Sequence, residues 1–517
     1  MRKLKTTIIK SIIIFFILLL ISSACSRNES ESNPDVVAYV GEREISARDF
    51  QLNYEFGFAH LKETNDRKYS YLKYMINETL LFQEGYRLGL DESERVKSQE
   101  AQLLEELLVE ELFRKKVDEN IIIADDEIKD AITKSSVKWK LRYWVELNSE
   151  DALDAYNSMQ VSGYTKVVQE ILAGNPEDNR DLNDLETGYL TWLDIPPELL
   201  EKIKDLEIGE ISKPIELQGV YLLIQITDIT RSGISDHDYK NTYNRFKQIL
   251  FYRKQNVRAA SFVANFMNPK NVITKGNEFR ILADALIEWK QHGSNSDSFL
   301  ESVEKAGKTE PALLELKNNL ENTFITFVDE DWTVKEFLNR FDPHSIKAKA
   351  FNKQLFRKQL KHQIAITIRN FFFVKEAIYL GLDRSEVVVN QLDTWRNKWV
   401  YEEARRFYTM DIKIDNTEAK KYFDDHLSRY VTQNGKQPEF SEVVSQVKRD
   451  AYIEQAKRLL ETKIEQLKKN TLVKINRVVL DTITVSDSDK SRATTVFLFK
   501  SSSGRLAFPT VDPAWGL

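Results

Sequence analysis

Six histidines, His60, His237, His292, His344, His362 and His426, are spread over 517 residues, and Cys25 is the single cysteine. One cysteine forms no intramolecular disulfide. No second histidine or cysteine stands at ligand spacing from Asp424-Asp425-His426, so that run reads as a solvated helix end rather than a metal site. His362 reads as a surface or satisfied core histidine, and Phe371-Phe372-Phe373 with Val374 as core rather than a cofactor contact. Neither a Gly-rich phosphate loop nor a Gly-x-Ser-x-Gly elbow occurs. No cofactor and no metal is expected, and the chemistry implied so far is at Cys25 alone.

The residues before Cys25 say what that chemistry is. Arg2, Lys3, Lys5 and Lys10 precede ten apolar residues, Ile12 to Ile21, and then Ser22-Ser23-Ala24-Cys25. A basic start, a short apolar run and small residues make a signal peptide. The run is shorter than the roughly 20 residues a spanning helix needs. The site resembles a lipobox, with Ser22 where leucine is usual, which implies cleavage after Ala24 and acylation of Cys25. Residues 1–24 are thus read as a lipoprotein signal peptide and 25–35 as a polar, acidic tether. The expected location is lipid-anchored, on the periplasmic or extracytoplasmic side. The chain carries 74 basic and 80 acidic residues, a net charge of −6. Cleavage removes four of the basic ones, which argues against a nucleic-acid partner.

The elements that follow are organised by an internal repeat. Leu81-Phe82-Gln83-Glu84-Gly85-Tyr86-Arg87-Leu88-Gly89-Leu90-Asp91 recurs as Phe373-Val374-Lys375-Glu376-Ala377-Ile378-Tyr379-Leu380-Gly381-Leu382-Asp383. Each copy opens with a short apolar strand (Val36 to Val40; Phe324 to Val328). A cap follows at Ser46-x-x-Asp49 or Thr333-x-x-Glu336 and starts a helix. A second helix ends at Leu-Gly-Leu-Asp, where glycine suits the left-handed C-cap. Long helices (Glu94 to Val117; Glu386 to Tyr408) come next, and others close the copies (His237 to Met267; Ser441 to Lys469). The short closing strands, Asn271 to Thr274 and Val473 to Ile475, are expected to pair with the opening strand of their own copy. The first copy also hosts an insertion, residues 134–232, whose first strand alternates through Val137, Trp139, Leu141, Tyr143, Val145 and Leu147.

This order of elements resembles the parvulin-type extracytoplasmic foldases, the SurA and PrsA family. The resemblance implies an α+β, predominantly helical fold with two tandem SurA-like helical chaperone modules, the first with an inserted parvulin-like α/β domain. The domains expected from it are 36–133 plus 233–275 as first module and 134–232 as insertion. A helical linker at 276–320, a second module at 321–480 and a tail at 481–517 follow. In the tail Thr494 to Lys500 reads as a strand, Ser501 to Gly504 as a turn and Arg505 to Pro509 as a return, leaving Pro513-Ala514-Trp515-Gly516-Leu517 exposed.

Within the insertion, Gly188-Tyr189-Leu190-Thr191-Trp192-Leu193 stands where the family has Gly-Asp-Leu-Gly-Trp-Phe, and Ile208-Gly209-Glu210-Ile211-Ser212-Lys213-Pro214 is close to Gly-Glu-Ile-Ser-x-Pro. The resemblance places the isomerase pocket at Tyr143, Tyr221, Trp192, Ile195 and Leu199, with Asp178 or Asp181 at the acidic position. Both histidine positions of the family are tyrosine here, Tyr143 and Tyr221. A phenol holds its proton to about pH 10 and does not copy an imidazole. The resemblance thus implies a membrane-anchored chaperone that binds unfolded or nascent exported polypeptides, without ATP, through a degenerate parvulin domain used for peptide binding. An active peptidyl-prolyl isomerase and a structural lipoprotein of a secretion or surface assembly stay open as alternatives.

Overall fold

The computed structural model describes residues 35–63, 65–175, 179–217, 219–291, 298–348, 352–431, 435, 437–485 and 506–516. The signal peptide, Cys25 and the tether up to residue 34 lie outside the described residues, as do Asp178 and the strand and turn expected at 494–504. The described chain is α+β and predominantly helical.

The first copy begins as its sequence suggests. Val36–Val40 (β1) is uncharged and buried at four of five positions. Gly41, at φ 60°, turns the chain into Arg43–Ser46 (β2). The Ser46 hydroxyl then accepts from the Asp49 N–H at 3.0 Å and starts Ala47–Phe56 (α1). Arg67–Arg87 (α2) stops before Gly89, which is left-handed at φ 71°. Ser93 caps Glu94–Lys116 (α3), its hydroxyl accepting from the Val96 N–H at 3.3 Å. Asp125–Ser135 (α4) leads into the insertion.

The insertion contributes Val137–Glu146 (β3), Ser149–Ser162 (α5), Tyr164–Gly174 (α6), Glu186–Leu190 (β4), Pro197–Ile203 (α7), Ile215–Leu217 (β5) and Val220–Arg231 (β6). Its strands form one antiparallel sheet in the order β4-β3-β6-β5. Asp236–Met267 (α8) returns from it, capped by Ser235 and Asp238, and ends near Ile273–Thr274 (β7). Gly276–Gln291 (α9), Phe299–Lys305 (α10) and Pro311–Asn318 (α11) follow.

The second copy repeats the first: Thr323–Thr326 (β8), Asp331–Thr333 (β9), Val334–Leu338 (α12), Lys353–Tyr379 (α13) and Glu386–Thr409 (α14). Thr333 and Glu336 cap each other's backbone, Gly381 is left-handed at φ 70°, and the Ser385 hydroxyl accepts from the Val388 N–H at 3.3 Å. Asn416–Asp425 (α15), Phe440–Asn470 (α16), Val473–Ile475 (β10) and Arg477–Thr482 (α17) complete it.

The expectation that each copy closes on itself is corrected by the strand pairing. β10, from the second copy, pairs with β1 of the first: Ala38 faces Ile475 and Val40 faces Val473. β7, from the first copy, pairs with β8 of the second: Ile273 faces Thr326 and Thr274 faces Ile325. The copies exchange their closing strands, giving two three-stranded sheets, β10-β1-β2 and β7-β8-β9. An opening hairpin has one free ladder edge, and either closing strand offers an apolar segment able to fill it.

The chain accordingly divides into two compact units that cut across the copies. One holds the described residues up to Glu111 together with those from Asn370 onward, and the other the described residues of Leu112–Arg369. In the first unit α2 crosses α14 closely. Gly85 sits at that crossing, where a Cβ would lie 2.6 Å from Val400 Cγ1. Polar contacts join the same helices: the Tyr86 hydroxyl donates to Asn397 Oδ1 at 2.9 Å, and Lys398 pairs with Glu78 at 2.8 Å. Glu84 is 3 % exposed at its side chain and takes Arg87 at 2.6 Å, Lys463 at 2.9 Å and the Tyr408 hydroxyl at 2.7 Å. The tail ends in this unit too. Trp515, expected to be exposed, is 5 % exposed and packs with Tyr74 and Tyr401.

Candidate functional site

The insertion's sheet decides which candidate residues meet. Side chains directly opposite in a ladder share a face, and alternate residues change face. From Leu141 to Glu146 the β3–β6 register runs without a bulge, with Leu141 facing Ile226, Tyr143 facing Ile224 and Val145 facing Leu222. The other face carries Arg142 with Gln225, Trp144 with Leu223 and Glu146 with Tyr221. Tyr143 and Tyr221 therefore project from opposite sides of the sheet and do not share a pocket.

Tyr143 does share its face with the other three positions. Trp192, Ile195 and Leu199 belong to one cluster with Leu141, Ile224 and Ile226, and Tyr143 packs at its edge. They are 9, 2 and 8 % exposed, because α4 supplies Ile128, Ala131 and Ile132 and α8 supplies Phe246 to the same cluster. The Trp192 indole N–H donates to the Ala131 carbonyl of α4 at 3.0 Å. The Arg253 guanidinium of α8 lies over the Trp192 ring, 4.2 Å from its centroid. Burial pushes the Arg253 pKa down. The face expected to hold a prolyl peptide is thus packed by the chain's own helices.

Polar groups nearby are engaged by the fold. The Tyr143 hydroxyl donates to the Asp184 carbonyl at 3.3 Å, and the Tyr164 hydroxyl donates to the Tyr143 carbonyl at 2.8 Å. Asp181, the candidate acid, accepts from the N–H groups of Asn183 and Asp184 at 2.6 and 3.1 Å and is exposed. Asp194 accepts from the Thr191 N–H and hydroxyl, both at 2.8 Å, and these bonds hold its carboxyl below the usual range. That turn aims Trp192 into the cluster. Tyr221 is half-buried beside Glu146 and Glu216, its ladder partners. No imidazole comes from residues 134–230. The arrangement holds a core, with Trp192, Ile195 and Leu199 buried inside it.

An open groove lies elsewhere in the same unit. About 930 Å³ is bounded by the end of α8, the turn into β7, the start of α9 and the middle of α13. Ile364 and Ile368, both buried, line it together with Val263, Met267, Phe279, Lys361 and Arg369. Burial lowers the Arg369 pKa. The sequence did not single these residues out. The i,i+4 pairs Val263/Met267 and Ile364/Ile368 carried the signal, but such stripes usually mark core. Among the described residues no group of three His, Cys, Asp or Glu side chains could hold a metal ion, and no helix is long and apolar enough to cross a membrane.

No family model and no curated relative matches the sequence. Solved structures do. A peptidylprolyl isomerase, PrsA, from Bacillus anthracis is 14 % identical over 35 % of this chain and 88 % of its own, with a TM-score of 0.21. A structure from Campylobacter jejuni, described as one of two related SurA-like chaperones, is 15 % identical over 46 % of this chain and 100 % of its own, with a TM-score of 0.21. The foldase protein PrsA from Streptococcus pneumoniae is 13 % identical over 42 % and 85 %, with a TM-score of 0.22. The chain is similar, over less than half its length, to PrsA and SurA-like peptidyl-prolyl isomerase chaperones.

Proposed function

We propose that this protein is an extracytoplasmic chaperone, held to a membrane by lipid on Cys25, that binds unfolded exported or outer-membrane polypeptides without ATP and without isomerase chemistry. The groove over Ile364 and Ile368 carries the reading. Its lining combines apolar side chains with Lys361 and Arg369, which suits apolar segments with acidic flanks. Burying about 200 Å² of client apolar surface at about 25 cal/mol per Å² supplies roughly 5 kcal/mol before ordering costs. That is enough for capture and weak enough for release. The parvulin-like insertion keeps a sheet and flanking helices but no imidazole, and its Trp192 face is already filled.

Three measurements on the full chain test this. Aggregation of an unfolded outer-membrane protein should be suppressed by the unchanged chain and several-fold less by Phe279→Asp. Exchange of a proline peptide between cis and trans should run at its uncatalysed rate. Cys25→Ser should leave the protein in the soluble fraction of its host. Equal suppression by the unchanged chain and Phe279→Asp removes the groove from the reading, and no suppression by either removes the chaperone. Faster proline exchange restores the isomerase.

A further inference from the structure

The C-terminal segment, Leu506–Gly516, ends in a single 3-10 turn at Pro513–Gly516 and contributes no strand to the three sheets of the described residues. Its contacts are those of a peptide in a groove. The Asn53 side-chain amide brackets the backbone around Thr510: Nδ2 donates to the Pro509 carbonyl at 3.2 Å and Oδ1 accepts from the Val511 N–H at 2.9 Å. A two-pronged contact of this kind reads backbone and is indifferent to sequence. Two side chains are read as well. The Asp512 carboxylate pairs with Arg405 and accepts from the Tyr401 hydroxyl at 3.0 Å. Trp515 is stacked near Tyr74, and its indole N–H donates to Glu78 Oε1 at 3.2 Å. The Asp512 N–H donates to the same oxygen at 2.6 Å.

The groove side has partners of its own. Asn53 Oδ1 also accepts from the Tyr71 hydroxyl at 2.9 Å, and Glu78 is paired with Lys398. Neither of these contacts involves the segment, so each can hold its side chain in place without it. A cavity of about 260 Å³ remains beside the segment, lined by Phe508 and Pro509 on one side and Arg43, Met75, Phe82 and Asn397 on the other. The groove is wider than what fills it.

We propose that this groove is a peptide-recognition site and that the C-terminal segment is its intramolecular ligand. The ligand class is a polypeptide that turns after an acidic residue and places a large aromatic one three positions later, as Asp512 and Trp515 do. This site belongs to the other unit and does not depend on the groove over Ile364 and Ile368. A tethered ligand has an effective concentration of about a millimolar, so it excludes an external peptide of micromolar affinity by roughly 100-fold or more.

The test uses the full chain, its Asp512→Ala/Trp515→Ala double variant, and a fluorescein-labelled peptide of residues 506–517 followed by anisotropy. The expected result is micromolar binding to the double variant, about 100-fold weaker binding to the unchanged chain, and none when the peptide carries the same two alanines. A double variant that melts cooperatively and does not bind, or equal binding by both chains, overturns the proposal. If the double variant fails to fold, hydrogen exchange of the unchanged chain decides. Amides of Val511 and Asp512 exchanging at least about 10-fold faster than those of β1 support a releasable ligand, and equal rates overturn it.

Discussion

Replacing Gly85 by alanine tests how tightly α2 and α14 are packed. In an exposed helix the change is favourable, by about 1 kcal/mol. Here the added Cβ would lie 2.6 Å from Val400 Cγ1, 3.1 Å from the Val400 carbonyl oxygen and 3.4 Å from Ala404 Cβ. A Val methyl on a stiff, branched side chain can move away only by turning χ1, and the carbonyl moves only with the helix. Overpacking of this kind costs typically about 1–3 kcal/mol. Set against the propensity gain, Gly85→Ala should destabilise the unit by up to about 2 kcal/mol, read as a lower urea midpoint with unchanged slope. For a unit of this size the melting temperature should fall by about 2–4 °C per kcal/mol. Val400→Ala should recover part of the loss when combined with Gly85→Ala, giving a coupling of about 1 kcal/mol. The second copy has Ala377 at the equivalent place, 0 % exposed, which accommodates the methyl that Gly85 lacks. If Gly85→Ala stabilises the chain, or if the coupling with Val400→Ala is near zero, the close crossing is not what requires glycine.

Two further outcomes follow from the first unit. Glu84 is held at a pKa of about 2, against an ordinary 4.5, first by its bond from Arg87 and then by those from Lys463 and Tyr408. A depressed carboxyl contributes stability that is complete above its unfolded value and lost as pH falls through the folded one, here between about pH 4.5 and 2. The span corresponds to at most about 3 kcal/mol, and solvent around Arg87, 66 % exposed, reduces it to about 2; Glu84→Gln should flatten that acid limb in pH-dependent denaturation, and an unchanged limb would refute the assignment. A chain ending at Asn470, without β10, should lose the cooperative transition of the first unit while Leu112–Arg369 keeps its protection from proteolysis; two intact transitions would show that β1 does not need its distant partner.

Much of the fold was legible because local signals carried it. The Leu-Gly-Leu-Asp phrases ended their helices through Gly89 and Gly381, the caps at Ser46 and Thr333 opened theirs, and the alternation from Val137 gave β3. Partner choice was not legible. Val473-Lys474-Ile475 and Ile273-Thr274 are both short and apolar, and such a pattern says which face is buried and not which edge will be joined. The same limit applies to Tyr221. Aligning it by its neighbouring glycine fixed its strand, but a single step in register selects the face, and it lies opposite to Tyr143. Trp515 escaped because its partners, Glu78 and Tyr74, are some 440 residues away and no local pattern points to them.

The exchange of closing strands has a consequence in time. Ala38 and Ile475 are neighbours in space and 437 residues apart along the chain. During synthesis β1 precedes β10 by that whole span, and its second edge stays open until β10 has followed. The other exchanged pair, Thr274 with Ile325, closes over a far shorter loop. The shorter loop is the cheaper one to close first, which leaves β1 longer as the kind of exposed apolar edge that invites aggregation.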